Sequence, residues 1–179
     1  MEVFWLLMNQ TGARDKFGLH HKNHYEQVLN SPLTFQLTAY SENTPVATAV
    51  FAKFGNTFTY LYGASNYEYR NLMAPYLLQW EGIKMGKSFG CQQYDFFGVA
   101  PYVIPAESGN PDNSIGYWIP NQVGNDNYNY DPHHQYAGVT RFKLGFGGVY
   151  HQTAGTWDLV IDKNKYRLYN FSRKLRRRF

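Results

Sequence analysis

The stretch TFTYLYGASNYEYRNLMAPYLLQWEGIKMGKSFGCQQYDFFGV, residues 57–99, decides the fold. Its first part alternates as a strand does, which sends Tyr60 and Tyr62 to the same face. From Leu72 the period changes. Leu72, Tyr76, Leu77, Trp80, Ile83 and Met85 recur at broadly helical spacing, and Gly90 stands where a helix C-cap belongs. Cys91 to Val99 then returns to a strand-like run. A strand, a helix and another strand imply a right-handed crossover and a parallel pair, with a ligand site at the carboxyl ends of those strands.

Upstream, TFQLTAYS (34–41) and PVATAVFAKF (45–54) are two more strand-like runs, divided by the hairpin signals ENT and GN. Residues 34–65 thus read as an antiparallel meander. Before it, EVFWLLMNQTGARDKF (2–17) is helix-like with a break at Thr11-Gly12, and KNHYEQVL (22–29) is a short helix closed by Asn30-Ser31-Pro32. Downstream, residues 99–136 have neither period and hold Pro101, Pro105, Pro111, Pro120 and Pro132 among many aromatics, which reads as a lid packed on the body. GVTRFKLGFGG (138–148) gathers Arg141, Phe142, Lys143 and Phe146 into a compact turn. GVYHQ and TWDLVI form an expected last hairpin, followed by a basic helix with Tyr166, Tyr169 and Leu175 toward the body. The fold class expected is α/β (α+β): one domain over 1–162, with a mixed, mostly antiparallel sheet flanked by helices, and a basic C-terminal helix or tail over 163–179.

A chain of 179 residues is large enough for a self-sufficient core. One cysteine, Cys91, in an apolar run reads as a buried thiol in a reducing compartment. The apolar run VFWLLM is six residues long, too short to span a bilayer. A cytoplasmic location is expected, with the inner face of the membrane reachable through the basic end. The net charge of +4 is unevenly distributed: Lys163 to Arg178 carries eight bases and no acid, and residues 1–162 have a net charge of −4. Such an end attracts RNA phosphates or an anionic bilayer, or simply keeps the chain in solution.

Several chemistries are disfavoured. Between the meander and the long helix, SNYEYRNLMAPY (65–76) has no Gly-x-Gly to hold a pyrophosphate, so coenzyme A fits poorly and no cofactor is expected. Arg70 in that segment can hold a phosphate or carboxylate, or bond a nearby carbonyl as a helix-entry arginine. The histidines (His20, His21, His24, His133, His134, His151) complete no known ligand spacing, so no metal site is expected. Neither a Gly-x-Ser-x-Gly nor a supported Cys and His pairing is present for covalent catalysis.

YLYGASNYEYRNLMAPYLLQWEGIKMGKSFGCQQYDFFGVAP, then AGVTRFKLGFGG, then TWDLVIDKNKYRLYNFSRKLRRR, together with TGARDKF and HHKNHY, resemble the peptidoglycan-bridge aminoacyltransferases of the Fem and MurM type over nearly the whole chain. The resemblance implies an acetyltransferase-like (GNAT-like) lobe without coenzyme A. It implies transfer of an amino acid from aminoacyl-tRNA to an amine on the stem peptide of a UDP-linked or lipid-linked peptidoglycan precursor. Phe142 and Lys143 match the family's Phe-Lys pair, the lysine facing the aminoacyl end or the developing oxyanion. Tyr60 and Tyr62 match two aromatics beneath the substrate, and Tyr25 matches a tyrosine contacting the precursor's nucleotide part. His21 stands where some relatives have arginine. Asp95 sits late on the crossover strand, where it can orient the attacking ammonium, accept its proton or serve a structural role, and Phe97 replaces the first of two glycines in the family's pattern after YDF. The sequence corresponds to the second of the family's two lobes, which leaves three expectations: a fragment, a chain that works beside a second chain or as a homodimer replacing the first lobe, or a fold that has lost the reaction. The competing expectation is a catalytically inactive binding module for RNA or an anionic cell-wall precursor; an N-acyltransferase with another activated donor is a third.

Overall fold

The computed structural model describes residues 1–100, 130, 133–151 and 158–176. Most of the lid expected over 99–136 therefore lies outside the described residues. The meander forms as read: β1 (Thr34–Ser41), β2 (Thr44–Phe54) and β3 (Thr57–Ser65) are antiparallel neighbours, and β4 (Gln93–Asp95) runs parallel to β3. The sheet order is β1-β2-β3-β4. The crossover joining β3 to β4 is a 3-10 turn over Tyr67–Leu72 followed by α3 (Ala74–Ser88).

Helices cover both faces of this sheet. On one side α3 packs over Phe51, Phe58, Ala47 and Ala49, with Ala74 and Leu78 closing the core. Phe51 and Phe58 are fully buried and stacked with ring centroids 5.4 Å apart. Burying each ring contributes roughly 2–3 kcal/mol. The helix can lie this close because Gly82 faces the rings: a Cβ there would come within 2.6 Å of Phe51 Cε1. On the other side α1 (Glu2–Asp15) and α2 (Lys22–Leu29) bring Phe4, Leu7, Met8 and Tyr25 against Val50 and Ala64.

Four expectations are corrected. First, α1 does not break at Thr11-Gly12. Thr11 Oγ1 donates to the Ser65 carbonyl at 3.2 Å and accepts from the Ser65 N–H at 3.0 Å, so tertiary bonds on a buried turn outweigh the weak helical propensity of the pair. Second, residues 138–148 are mainly helical rather than a compact turn: α4 spans Ala137–Leu144, and only 145–147 turn. Gly138 falls in the first turn of α4, where helical N–H groups lack intrahelical partners anyway. Third, the hairpin expected from GVYHQ and TWDLVI is not formed in its described parts, since 148–151 and 158–161 lie in no strand. Fourth, α5 (Lys163–Arg176) is a helix as expected, but none of its described side chains is buried and Tyr169 is 52% exposed, so it does not turn that tyrosine onto the body. Gly90, expected at the end of the long helix, does adopt φ +76 just past the Phe89 cap. No helix among the described residues is long and apolar enough to cross a membrane.

Candidate functional site

The carboxyl end of β4 and the inner side of α4 meet around one buried cation. After Asp95 the chain leaves the sheet through Phe97, whose φ of 62 is left-handed. The turn is held by the Phe97 N–H, which donates to Asp95 Oδ1 at 2.7 Å. Residues 98–100 then run past α4, which grips them at two points one helical turn apart. The Ala100 N–H donates to Thr140 Oγ1 at 2.8 Å, and Lys143 Nζ donates to the Gly98 carbonyl at 2.6 Å. Three residues separate Thr140 from Lys143, the spacing that places both on one helix face.

Lys143 is 7% exposed, and its ammonium lies 5.7 Å from the centroid of the Tyr60 ring, within cation–π range. Burial pulls its pKa down to about 8, and the nearby Asp95 charge opposes that pull. An ammonium has three donors, and one is spent on Gly98. The group is thus a poorly solvated positive charge near its own titration point, suited to meeting a developing negative oxygen and able to exchange a proton near neutral pH. Tyr60 beside it has its pKa pushed up to about 12 by burial, so its hydroxyl stays protonated.

Aromatic rings wall this end of the molecule. Phe142 and Phe146 of the α4 region pack on Tyr76 of α3 at 4.8 and 5.6 Å, and Phe146 continues to Phe96 at 5.1 Å. Between the 3-10 turn and α4 lies a cavity of about 150 Å³ lined in part by Arg70, Tyr76 and Phe142. Arg70 stacks over Tyr67 at 4.4 Å and donates to the Tyr67 carbonyl at 3.2 Å, the helix-entry role, while still bordering this cavity.

Tyr62 is not in this cleft. Alternation alone places it with Tyr60, but the β2–β3 pairing steps from Val50↔Tyr62 to Phe51↔Tyr60 and leaves Leu61 as an extra residue. The resulting bulge turns the two tyrosines to opposite faces. Tyr60 joins Phe51 on the α3 side, and Tyr62 joins Val50, Phe4 and Tyr25 on the α1 side. The same bulge sets Tyr60 over Gly63, where a Cβ would fall 1.8 Å from the tyrosine's hydroxyl oxygen. Across the sheet, Tyr62 Oη bonds His24 Nε2 at 3.1 Å. Tyr25 is 2% exposed, ringed by Phe4, Trp5 and Tyr62 at 5.4, 5.9 and 5.3 Å. It is a core residue here, with almost no surface to offer a ligand. His21 is exposed at the N-cap of α2, where its carbonyl accepts from the His24 N–H.

The structure therefore brings Lys143, Phe142, Tyr60 and Asp95 to one end of the α3 face, puts Arg70 at its border, and leaves Tyr25, Tyr62 and His21 on the other side. Thr140, Tyr76 and Phe146 were not singled out as site residues from the sequence. Reading 138–148 as a helix would have exposed the Thr140–Lys143 spacing.

The fold is similar to that of an aminoglycoside antibiotic 6'-N-acetyltransferase from Acinetobacter haemolyticus, with a TM-score of 0.52 and 14% identity over 87% of this chain and 93% of that one. At that identity the likeness is one of fold, and it bears out the α/β, GNAT-like architecture. No curated protein matches the chain. The FemAB family model matches residues 31–103, the span from the meander through β4 and the segment that receives Lys143. That match supports a Fem-type peptidoglycan-bridge family for this chain and, with the acetyltransferase-like fold, a transferase in cell-wall synthesis.

Proposed function

We propose that the chain is the acceptor-side lobe of an aminoacyltransferase that moves an amino acid from aminoacyl-tRNA to an amine of a peptidoglycan precursor. In this reading the amine attacks the ester carbonyl, a C–N bond forms, and the carbonyl oxygen takes the negative charge of a tetrahedral intermediate. The C–O bond to the ribose then breaks, and the ribose oxygen leaves with the proton released by the amine. The ester is already activated, so holding the reactants and stabilising the oxyanion are the main tasks. Lys143 supplies the cation, Tyr60 a neutral phenol beside it, and Phe142 an aromatic wall. Asp95, exposed at the end of β4, orients the incoming ammonium, and Arg70 receives an anionic group of one substrate at the cavity rim. The precursor is UDP-linked or lipid-linked, and a second chain or a second copy supplies the remaining substrate surface.

The observation that carries this reading is the ammonium of Lys143, a residue 7% exposed, held by Gly98 and facing Tyr60 at the carboxyl end of a parallel strand. A buried charge is costly, and charges of this kind concentrate where chemistry uses them. The test is transfer from charged tRNA to precursor, measured with the natural chain and with Lys143→Met. Loss of a missing oxyanion donor lowers turnover by about 10²–10³-fold. Binding of both substrates without transfer by either protein overturns catalysis and favours a binding module.

A further inference from the structure

The described residues from Asp158 onward carry apolar side chains that the body does not cover. Leu159 is 89% exposed and Ile161 92%, followed on α5 by Leu168 at 69% and Phe171 at 62%. Isolated exposed leucines are ordinary, but four large apolar side chains within a short segment, all mostly in solvent, make an unpartnered surface.

The charge of the same segment is one-sided. The two acids at its start are engaged locally. Asp158 accepts from the Tyr166 hydroxyl at 2.6 Å, and Asp162 caps the helix by accepting from the Asn164 and Lys165 N–H groups at 2.9 and 3.1 Å. Beyond Asp162 no acid occurs, while the sequence supplies eight bases through Arg178. At roughly 100° per residue, Leu168 and Phe171 share one side of α5, with Lys163 and Arg167 on one flank, Lys165 on the other and Arg173 on the opposite side. An apolar stripe bordered on both sides by cations is the arrangement of a helix that lies in a bilayer interface.

We propose that residues 158–173 form a docking surface for an anionic lipid bilayer, with Leu159, Ile161, Leu168 and Phe171 entering the headgroup boundary while Lys163, Lys165 and Arg167 pair with lipid phosphates. Nucleic acid matches the cations but gives four exposed aliphatic and aromatic side chains nothing to bury against. A second copy of the same helix matches the apolar stripe but sets its cations against identical cations. An anionic membrane satisfies both at once. This inference is independent of the transfer reading: it needs neither aminoacyl-tRNA nor precursor.

The experiment is co-sedimentation of the full chain with large vesicles of phosphatidylglycerol and phosphatidylcholine, and with phosphatidylcholine alone, at low and high salt. Three proteins are compared: the natural chain, Leu168→Ser/Phe171→Ser, and Lys165→Gln/Arg167→Gln. Circular dichroism and sedimentation velocity without lipid check fold and association state. The natural chain is expected to pellet with the anionic vesicles, with salt-sensitive affinity, and each double variant to bind about tenfold or more weakly with the body's melting unchanged. Several results overturn the proposal. One is no binding to anionic vesicles, and another is equal binding to phosphatidylcholine alone. Unaltered binding by Leu168→Ser/Phe171→Ser reduces the effect to charge. Conversion of a dimer to a monomer by that variant, with lipid affinity unchanged, assigns the stripe to a second copy. Because the assay contains no tRNA or precursor, its outcome is separable from that of the transfer test.

Discussion

Two faces of one sheet use tyrosine in opposite ways. On the α1 and α2 side, Tyr62 and Tyr25 are closed among rings, and the Tyr62 hydroxyl is bonded to His24. On the α3 and α4 side, Tyr60 packs on Phe51 at 5.8 Å and faces the ammonium of Lys143. Both tyrosines belong to one short strand. The difference comes from a single extra residue, Leu61, in the β2–β3 register. A bulge thus makes one face a closed core and lets the other keep a charge, and the proposed chemistry depends on that division.

The strongest way to break the comparison is to mutate across it. Lys143→Met should lower transfer by about 10²–10³-fold, whereas Tyr62→Phe, which removes only the bond to His24, should leave transfer within about threefold and lower stability by about 1 kcal/mol. Steady-state transfer assays and urea melts on both variants decide it. A loss in Tyr62→Phe as large as in Lys143→Met would mean that the two faces act as one site.

The pH dependence of stability sharpens the same contrast. Burial holds the Lys143 pKa at about 8, below its ordinary value of 10.5. Below pH 8 the folded and unfolded chains both carry the proton, and the cost of the buried charge is fully felt. Between about 8 and 10.5 the unfolded chain keeps a proton that the folded chain has shed, so stability climbs with pH by something on the order of 2 kcal/mol. Tyr60 acts the other way. Its phenol is pushed up to about 12 from 10, so above pH 10 the unfolded chain loses a proton the folded one retains, and stability falls. Urea melts from pH 7 to 11.5 should show a maximum near pH 10. Lys143→Met should flatten the rising limb only, and Tyr60→Phe should soften the falling one.

Much of this architecture was legible from residues 34–99. The strand alternation, the ENT and GN hairpin signals, the change to helical spacing at Leu72 and the return to strand at Cys91 all correspond to observed elements. Legibility stopped where tertiary bonds decide. Thr11-Gly12 looks like a breaker until Ser65 bonds the threonine from across the sheet. Gly138 looks like a turn until its place in the first turn of α4 is known. The bulge at Leu61 left no sign in the alternation, because the side-chain types of 57–65 suit either register; only the small residue at Gly63 hinted that something must lie over it. Lys143 was found by resemblance, and its partners Gly98 and Thr140 needed coordinates because the segment separating 98 from 140 in sequence carries no periodicity.

Gly63 offers a smaller test of the bulge. Gly63→Ala places a methyl group where the Tyr60 hydroxyl sits, forcing the ring to shift within a packed core, at a cost of about 1–3 kcal/mol. The clash is with the hydroxyl, so Tyr60→Phe in the same chain should recover part of the loss. A double-mutant cycle on Gly63→Ala and Tyr60→Phe should give a coupling of about 1 kcal/mol or more by chemical denaturation. Strict additivity would place the two residues on different faces and remove the structural basis for separating Tyr60 from Tyr62.

The smallest effect concerns the turn that brings Gly98 to Lys143. Phe97 holds φ at 62 while 60% exposed, so its ring gains little from burial and its backbone sits in a region that side chains disfavour. A non-glycine residue there costs roughly 1–2 kcal/mol. Phe97→Gly removes that strain but returns part of the gain as greater freedom of the unfolded chain, leaving a net stabilisation of about 0.5–1 kcal/mol. Phe97→Val, β-branched and worse in this conformation, should move stability the other way. The Phe97 N–H bond to Asp95 is a backbone donor and survives both changes, so the Gly98 carbonyl stays aimed at Lys143 and transfer should change little in the glycine variant. If Phe97→Gly destabilises the chain, the left-handed turn after β4 is wrong, and with it the path by which the α3 face reaches its charge.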